Sequence, residues 1–198
     1  MERFAGVAQL IHLTKTASTQ ALARRMAEKG EPEWTLVWAD RQTKGQGRMG
    51  RRWESGPGGL YVSIILRPKV APKRLAELSL AAADAVAKAV NEAADLKTAV
   101  KPPNDVLAEA PGPVMKKICG ILIEASGGAR QVDWVVIGIG VNVNNRIPKS
   151  LPDAASLRGL TGREFEVASI LRKVLSNLQL KFRAFLAATN GHVESPML

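Results

Sequence analysis

The nine residues Gly45-Gln46-Gly47-Arg48-Met49-Gly50-Arg51-Arg52-Trp53 constrain this chain more than any others. They set three glycines and three arginines between two strand-like apolar runs, Trp34 to Ala39 and Leu60 to Leu66. Taken literally, Gly45 to Gly50 spells G-x-G-x-x-G, the turn that opens a dinucleotide-binding helix. That turn needs a helix directly behind it, but the chain continues as Glu54-Ser55-Gly56-Pro57-Gly58-Gly59, which no helix tolerates. The order is therefore strand, long basic loop, strand. Glycines let a backbone approach a ligand closely, and arginines offer a fork of donors matched to carboxylate or phosphate, so the loop reads as an anion-binding segment. The alternative is a solvated basic loop on a basic protein.

Around this loop the pattern is mixed. Ser18 or Thr19 caps a helix over Gln20 to Glu28 that Gly30 and Pro32 close. A longer helix starts at Pro72 and runs to about Ala94, with Leu75, Leu78, Ala82, Val86 and Val90 on one face. Thr98 to Val100 is a short strand, Ala108 to Val114 a loop, and Ile118 to Ala125 and Val132 to Val143 two strands joined as an antiparallel hairpin through Gly127-Gly128. Arg163 to Ala188 is helical, with Ile170, Leu171, Val174, Leu178 and Phe182 as its stripe. Strands separated by single helices predict an α+β domain: a mixed, largely antiparallel sheet with helices packed on one face.

The 198 residues suit one domain, and 46% apolar content is that of a globular protein. No apolar run approaches the roughly 20 residues of a membrane span, and the N-terminus lacks a signal-peptide stretch. The single Cys119 excludes an internal disulfide, which suits the cytoplasm. A net charge of +10 favours acidic partners. The cations are dispersed and no helix-turn-helix or zinc pattern is present, so specific DNA binding is not expected.

Two more segments sharpen the reading: Lys101-Pro102-Pro103-Asn104-Asp105, and Lys116-Lys117-Ile118-Cys119-Gly120-Ile121-Leu122-Ile123-Glu124. With the arginine loop they resemble the biotin protein ligase family, whose motifs are close to G-R-G-R-x-G-R-x-W, K-W-P-N-D and K-x-x-G-I-L-x-E. Gly138-Ile139-Gly140-Val141-Asn142 is similar to the family's G-x-G-x-N strand end, and Ser18-Thr19 to its S-T-N. The five matches occur in order over nearly the whole chain. The resemblance implies a fold like that of class II aminoacyl-tRNA synthetases and biotin ligases. It also implies an ATP- and Mg²⁺-dependent reaction: biotin is activated as biotinyl-5′-adenylate, then passed to a lysine of biotin carboxyl carrier protein.

Such chemistry needs fixed cations near two anionic centres. The resemblance assigns catalysis to Lys117, Arg48 and Asp105, with Asp105 either orienting Lys117 or holding Mg²⁺. It assigns biotin to Ser18, Thr19, Gln42, Gly45, Gly47, Arg48, Lys117, Gly120 and Gly138, and the adenylate to Arg48, Arg51, Trp53, Asn104, Lys117 and Asn142. Plainer roles stand beside these. Lys116 and Lys117 suit a strand edge, Asn104 an Asx turn, Ser18 and Thr19 a helix cap, Trp53 an anchor for its loop, and Asn142 a cap for the turn to Arg146.

The chain departs from the family pattern at Gln46, where arginine is usual, and at Pro102, where tryptophan is usual, which would remove a ring from the site wall. The expected organisation is a catalytic domain over 1–190 and a short tail over 191–198. Neither the N-terminal DNA-binding domain nor the C-terminal β-barrel of longer members is expected. The resemblance also implies homodimers built through sheet edges. Two other readings stay open: a lipoate or octanoate transferase of the same superfold, and a non-catalytic protein that binds biotin or adenylate.

Overall fold

The computed structural model describes residues 3–112 and 114–190; the tail expected at 191–198 lies outside them. Seven strands form one sheet in the order β1-β2-β3-β7-β6-β5-β4. They are β1 (Gln9–Leu13), β2 (Thr35–Ala39), β3 (Leu60–Leu66), β4 (Thr98–Lys101), β5 (Asp105–Ala110), β6 (Val114–Gly127) and β7 (Val132–Val141). Only β1 and β2 run parallel; every other pairing is antiparallel. The helices are α1 (Thr19–Glu28), α2 (Leu75–Ala94), α3 (Leu157–Thr161) and α4 (Val167–Asn190). The architecture is the mixed, mostly antiparallel α+β sheet that the sequence predicts. No helix among the described residues is long and apolar enough to cross a membrane.

The two long helices pack together over one face of the sheet, as expected. Leu78, Ala82, Val86 and Val90 of α2 and Leu171, Val174, Leu178 and Phe182 of α4 bury their stripes against Leu36, Ile64, Ile137 and Ile139. The short α1 corrects the expectation that the helices share one face: it takes the opposite side, where Ala23 and Ala27 meet Val37, Ile65, Trp134 and Val136. Strand alternation explains the division, since β7 sends Val135, Ile137, Ile139 and Val141 to the long helices and Trp134 and Val136 to α1. Ser18 caps α1, its hydroxyl accepting from Ala21 N, and Arg67 closes the far end by donating to the carbonyls of Ala27 and Glu31.

Two strands, β1 and β5, and the short helix α3 escape the sequence reading. Gln9–Leu13 forms the edge strand β1. Asp105–Ala110 forms β5, although its alanines and glutamate are poor strand formers, because it is paired on both sides. The hairpin through Gly127-Gly128 forms, but β6 starts at Val114, so the loop expected over Ala108 to Val114 shrinks to a turn between β5 and β6. The last helix begins at Val167 rather than Arg163, because Asn144 holds Phe165 in extended chain, accepting from its N–H and donating to its carbonyl. Replacing Ile137, fully buried in the central strand, by alanine should cost about 2–5 kcal/mol in a urea titration; a cost under about 1 kcal/mol would contradict this packing.

Candidate functional site

On the α1 face, β7 runs Trp134, Val136, Gly138, Gly140: large residues under the helix, then none. The neighbouring positions are equally small or polar, because Ser63 pairs with Gly138 and Gly120 with Gly140. Past the N-terminus of α1 the sheet is thus bare, and a cavity of about 290 Å³ opens there under the arginine loop.

Trp53 is the loop's anchor in this hollow. A Cβ on Gly140 would lie 2.5 Å from its Nε1, and one on Gly120 3.0 Å from its Cζ3, so the indole sits against the bare sheet. Trp53 N also donates to Gly45 O, and Gly47 N to Arg51 O, folding the loop back on itself. Arg48 to Gly50 makes one 3-10 turn with Met49 at positive φ, and no longer helix comes after it, as the sequence requires.

Of the four cations on the cavity wall, Arg48, Arg51, Arg52 and Lys117, Arg48 and Lys117 come from different segments and are held by consecutive residues. Arg48 Nη1 donates to Asn104 Oδ1 at 3.0 Å, while Asn104 Nδ2 donates to Ile121 O at 3.0 Å. Lys117 Nζ lies 2.6 Å from Asp105 Oδ1 and 5.4 Å from the centre of the Trp53 ring. A register shift in β5–β6 aims this lysine. Asp105 pairs with Gly120 and Val106 with Cys119, but Leu107 pairs with Lys117, so Ile118 is the extra residue. Ile118 and Cys119 are both buried in the core. Unbroken alternation would send Lys117 to the same face as Cys119; the bulge turns it to the cavity instead. The segment at Ala154 then pairs alongside, Lys117 N donating to Asp153 O and Ala155 N to Lys117 O.

A neutral hydrogen-bond network closes the end beside α1. Gln42 Oε1 accepts from Thr19 N at 2.8 Å and from Thr19 Oγ1 at 3.1 Å, and Gln42 Nε2 donates to Ser55. The Ser63 hydroxyl is 3.0 Å from both Thr19 Oγ1 and Gln20 Oε1. At the other end Asn142, Ile147, Pro148, Leu151 and Ala154 form a wall, with Asn145 Nδ2 donating to Asn142 Oδ1.

The cavity wall therefore gathers Thr19, Gln42, Gly47, Arg48, Arg51, Trp53, Asn104, Asp105, Lys117, Gly120, Gly138 and Asn142 from the sequence-derived set. Ser18 and Gly45 are not on it. Ser18 caps α1 and donates to Gln46 Oε1, and the space where Gly45 lacks a side chain is taken by Trp53 O and Ser55. Pro102, expected to alter the wall, is exposed and away from the cavity. Sequence reasoning missed Gln20 and Ser63; their signal was two polar residues directed at the bare stretch of sheet.

Asp105 is taken by Lys117, and Glu54, the other acid on the wall, pairs with Arg52 at 3.1 Å. Among the described residues no three His, Cys, Asp or Glu side chains cluster as metal ligands. The donor set thus does not form a protein cage for a divalent ion.

Residues 8–142 match the family described as the Biotin/lipoate A/B protein ligase family. The chain is 39% identical over 194 residues to the bifunctional ligase/repressor BirA of Bacillus subtilis, covering 96% of this chain and 58% of that protein. It is 38% identical over 149 residues to the biotin–[acetyl-CoA-carboxylase] ligase of Paracoccus denitrificans, covering 73% of this chain and 57% of that one. The solved biotin protein ligase from Aquifex aeolicus in complex with biotin and ATP matches with a TM-score of 0.76 at 36% identity, over 96% of this chain and 79% of that chain. This chain thus spans under three fifths of the length of these curated relatives.

Gly140→Ala should unseat Trp53, shifting the fluorescence difference between the Gly140→Ala protein and its Trp53→Phe double variant to the red and costing about 1–3 kcal/mol of stability. An unshifted spectrum at full stability would mean that the ring does not need the bare sheet. Burial pushes the Cys119 thiol well up, Lys117 opposing and Asp105 adding to the rise. Iodoacetamide at pH 8 should leave the folded protein unlabelled and label it once unfolded; fast labelling of the native chain would contradict that burial.

Proposed function

The chain belongs to the biotin/lipoate A/B protein ligase family, and on that premise we propose that it is an ATP-dependent biotin protein ligase. The observation that carries this reading is the pair of cations, Arg48 and Lys117, held on one cavity by Asn104 and Asp105. The biotin carboxylate attacks the α-phosphorus of ATP; the new P–O bond forms as the bond to the β-phosphate breaks and pyrophosphate leaves. The amine of an acceptor lysine then attacks the acyl carbon of the mixed anhydride, forming the amide, losing a proton and releasing AMP.

In both steps negative charge gathers where carboxylate and phosphate meet. Arg48 and Lys117 are placed to stabilise it, with Arg51 as a further, exposed cation on the wall and Arg52 paired with Glu54. Because Asn104 and Asp105 already fix the first two, little reorganisation is left for the reaction itself. Asn104 acts as a positioning residue, since both ends of its amide are occupied by protein.

The ureido ring of biotin, one acceptor and two donors, suits the neutral end built by Thr19, Gln42 and Ser63. The adenylate lies against Asn142 and the wall from Ile147 to Ala154, under Trp53. The relatives named as biotin ligases favour biotin over lipoate or octanoate. Mg²⁺ would arrive with the triphosphate rather than in a protein cage, and would supply charge neutralisation there. The acceptor is a carboxylase carrier domain, and the reducing cytoplasm suits the single buried Cys119.

The test is to supply biotin, MgATP and a recombinant carrier domain, and to follow pyrophosphate and carrier mass. A gain of one biotin on a carrier lysine is expected; biotin binding with no pyrophosphate would make the protein a binding module. Lys117→Ala should lower adenylation by at least about 100-fold, and unchanged rates would remove it from the chemistry. Asn104→Ala should lower adenylation by about 10–100-fold through misplaced Arg48. Its effect should shrink in an Arg48→Ala background, whereas full additivity of the two would refute the latch.

A further inference from the structure

Asn142 and Asn145 stand together at the end of the cavity away from α1, and both are nearly closed off from solvent, at 5% and 4% exposure. One bond links them: Asn145 Nδ2 donates to Asn142 Oδ1 at 3.1 Å. The Oδ1 of Asn145 is itself buried and has no donor among the described residues. A carbonyl oxygen shut off from water without a donor is costly, so such an atom in a cavity wall points to a donor that the ligand brings. The backbone behind the pair is fixed. Leu157 N donates to Asn142 O, Arg158 N donates to Val143 O, and Asn144 is tied to Phe165 in both directions.

We propose that Asn145 is a specificity-determining residue for the nucleotide: it accepts from the exocyclic amine of adenine and fixes the amide of Asn142 beside it. The inference rests on the ligase reading and extends it to the choice of base. Asn142 Oδ1 already accepts from Asn145, so Asn142 turns to the ligand its Nδ2 hydrogens, which no acceptor among the described residues claims. The pair therefore shows one donor and one acceptor. Adenine carries the complement, an amino donor beside a ring nitrogen that accepts, whereas guanine presents acceptors at both O6 and N7. Guanine would set O6 against Asn145 Oδ1, oxygen against oxygen. Biotin does not compete for this end. Its ionised carboxylate has no hydrogen to give and is drawn to Arg48 and Lys117, while its ureido N–H groups suit the neutral network beside α1. The nucleoside is the ligand with a donor to place here.

The experiment measures biotin-dependent pyrophosphate release with MgATP, with MgGTP and with the triphosphate of purine riboside, which lacks only the 6-amino group of ATP. The unaltered protein and Asn145→Ala are compared, with a urea titration to show that both are folded. The unaltered protein should use the purine analogue about tenfold less efficiently than ATP in kcat/KM, and GTP at least about 100-fold less efficiently. Asn145→Ala should raise the KM for ATP about tenfold, with kcat changed by less than about threefold, and should use ATP and the analogue alike. A residue that only supports the wall would lower both nucleotides equally and keep their ratio, which would overturn the assignment. So would an unaltered protein that takes the analogue as readily as ATP, a result that needs no variant. No pyrophosphate from the unaltered protein with ATP would overturn the ligase reading, and the inference with it.

Discussion

The seating of one indole ring on a patch of sheet without side chains is the contact on which the site depends. Gly120 and Gly140 are cross-strand partners at the centre of the sheet, and Trp53 fills the space above them. Glycine in a strand costs about 0.5–1 kcal/mol relative to alanine, a local weakness that this sheet withstands because Val135, Ile137, Ile139 and Val141 on the other face of β7 are buried. The return is a loop of arginines and glycines whose one apolar anchor on the scaffold is this ring. The loop's other large apolar side chain, Met49, is 88% exposed and anchors nothing.

Position along one strand face thus does two jobs. Trp134 and Val136 support α1, and two residues later the same face is empty enough for a cavity. Helix and cavity compete for that face, and the short length of α1 settles the boundary at Thr19, whose backbone N–H and hydroxyl both turn to Gln42. A side chain at Gly138 would strike Gln20, so the third glycine serves the network rather than the indole. Gly138, Gly140 and Gly120 form one surface, although they come from two strands.

The motifs were legible as residue types, and their order along the chain carried the fold class with them. The two long helices showed in their stripes, and β2 and β3 in their apolar runs. What could not be read was anything depending on register. Asp105–Ala110 looks like loop because its strand character comes from neighbours on both sides. The aim of Lys117 was invisible for a related reason: strict alternation from Cys119 gives the wrong face, and only the bulge at Ile118 corrects it. Ser18 illustrates the opposite limit. A serine before a helix reads equally as a cap or as a ligand, and in the fold its hydroxyl is spent on Ala21 and Gln46.

Gln46 shows how a departure from a motif can be absorbed. In place of the usual arginine stands a neutral amide, whose oxygen accepts from the Ser18 hydroxyl and whose backbone bridges to Arg52. The start of the loop is thereby tied to the N-terminus of α1, while Arg48 ties its middle to Asn104. Together with Trp53 at its end, the loop has three attachments, to a helix, to the turn before β5 and to the floor of the sheet. A guanidinium at position 46 would add charge over the cavity, but it has no acceptor oxygen with which to receive the Ser18 hydroxyl. Charge and tether are alternatives at this position. This chain holds the tether, and leaves Arg48 and Lys117 as the two cations fixed by Asn104 and Asp105.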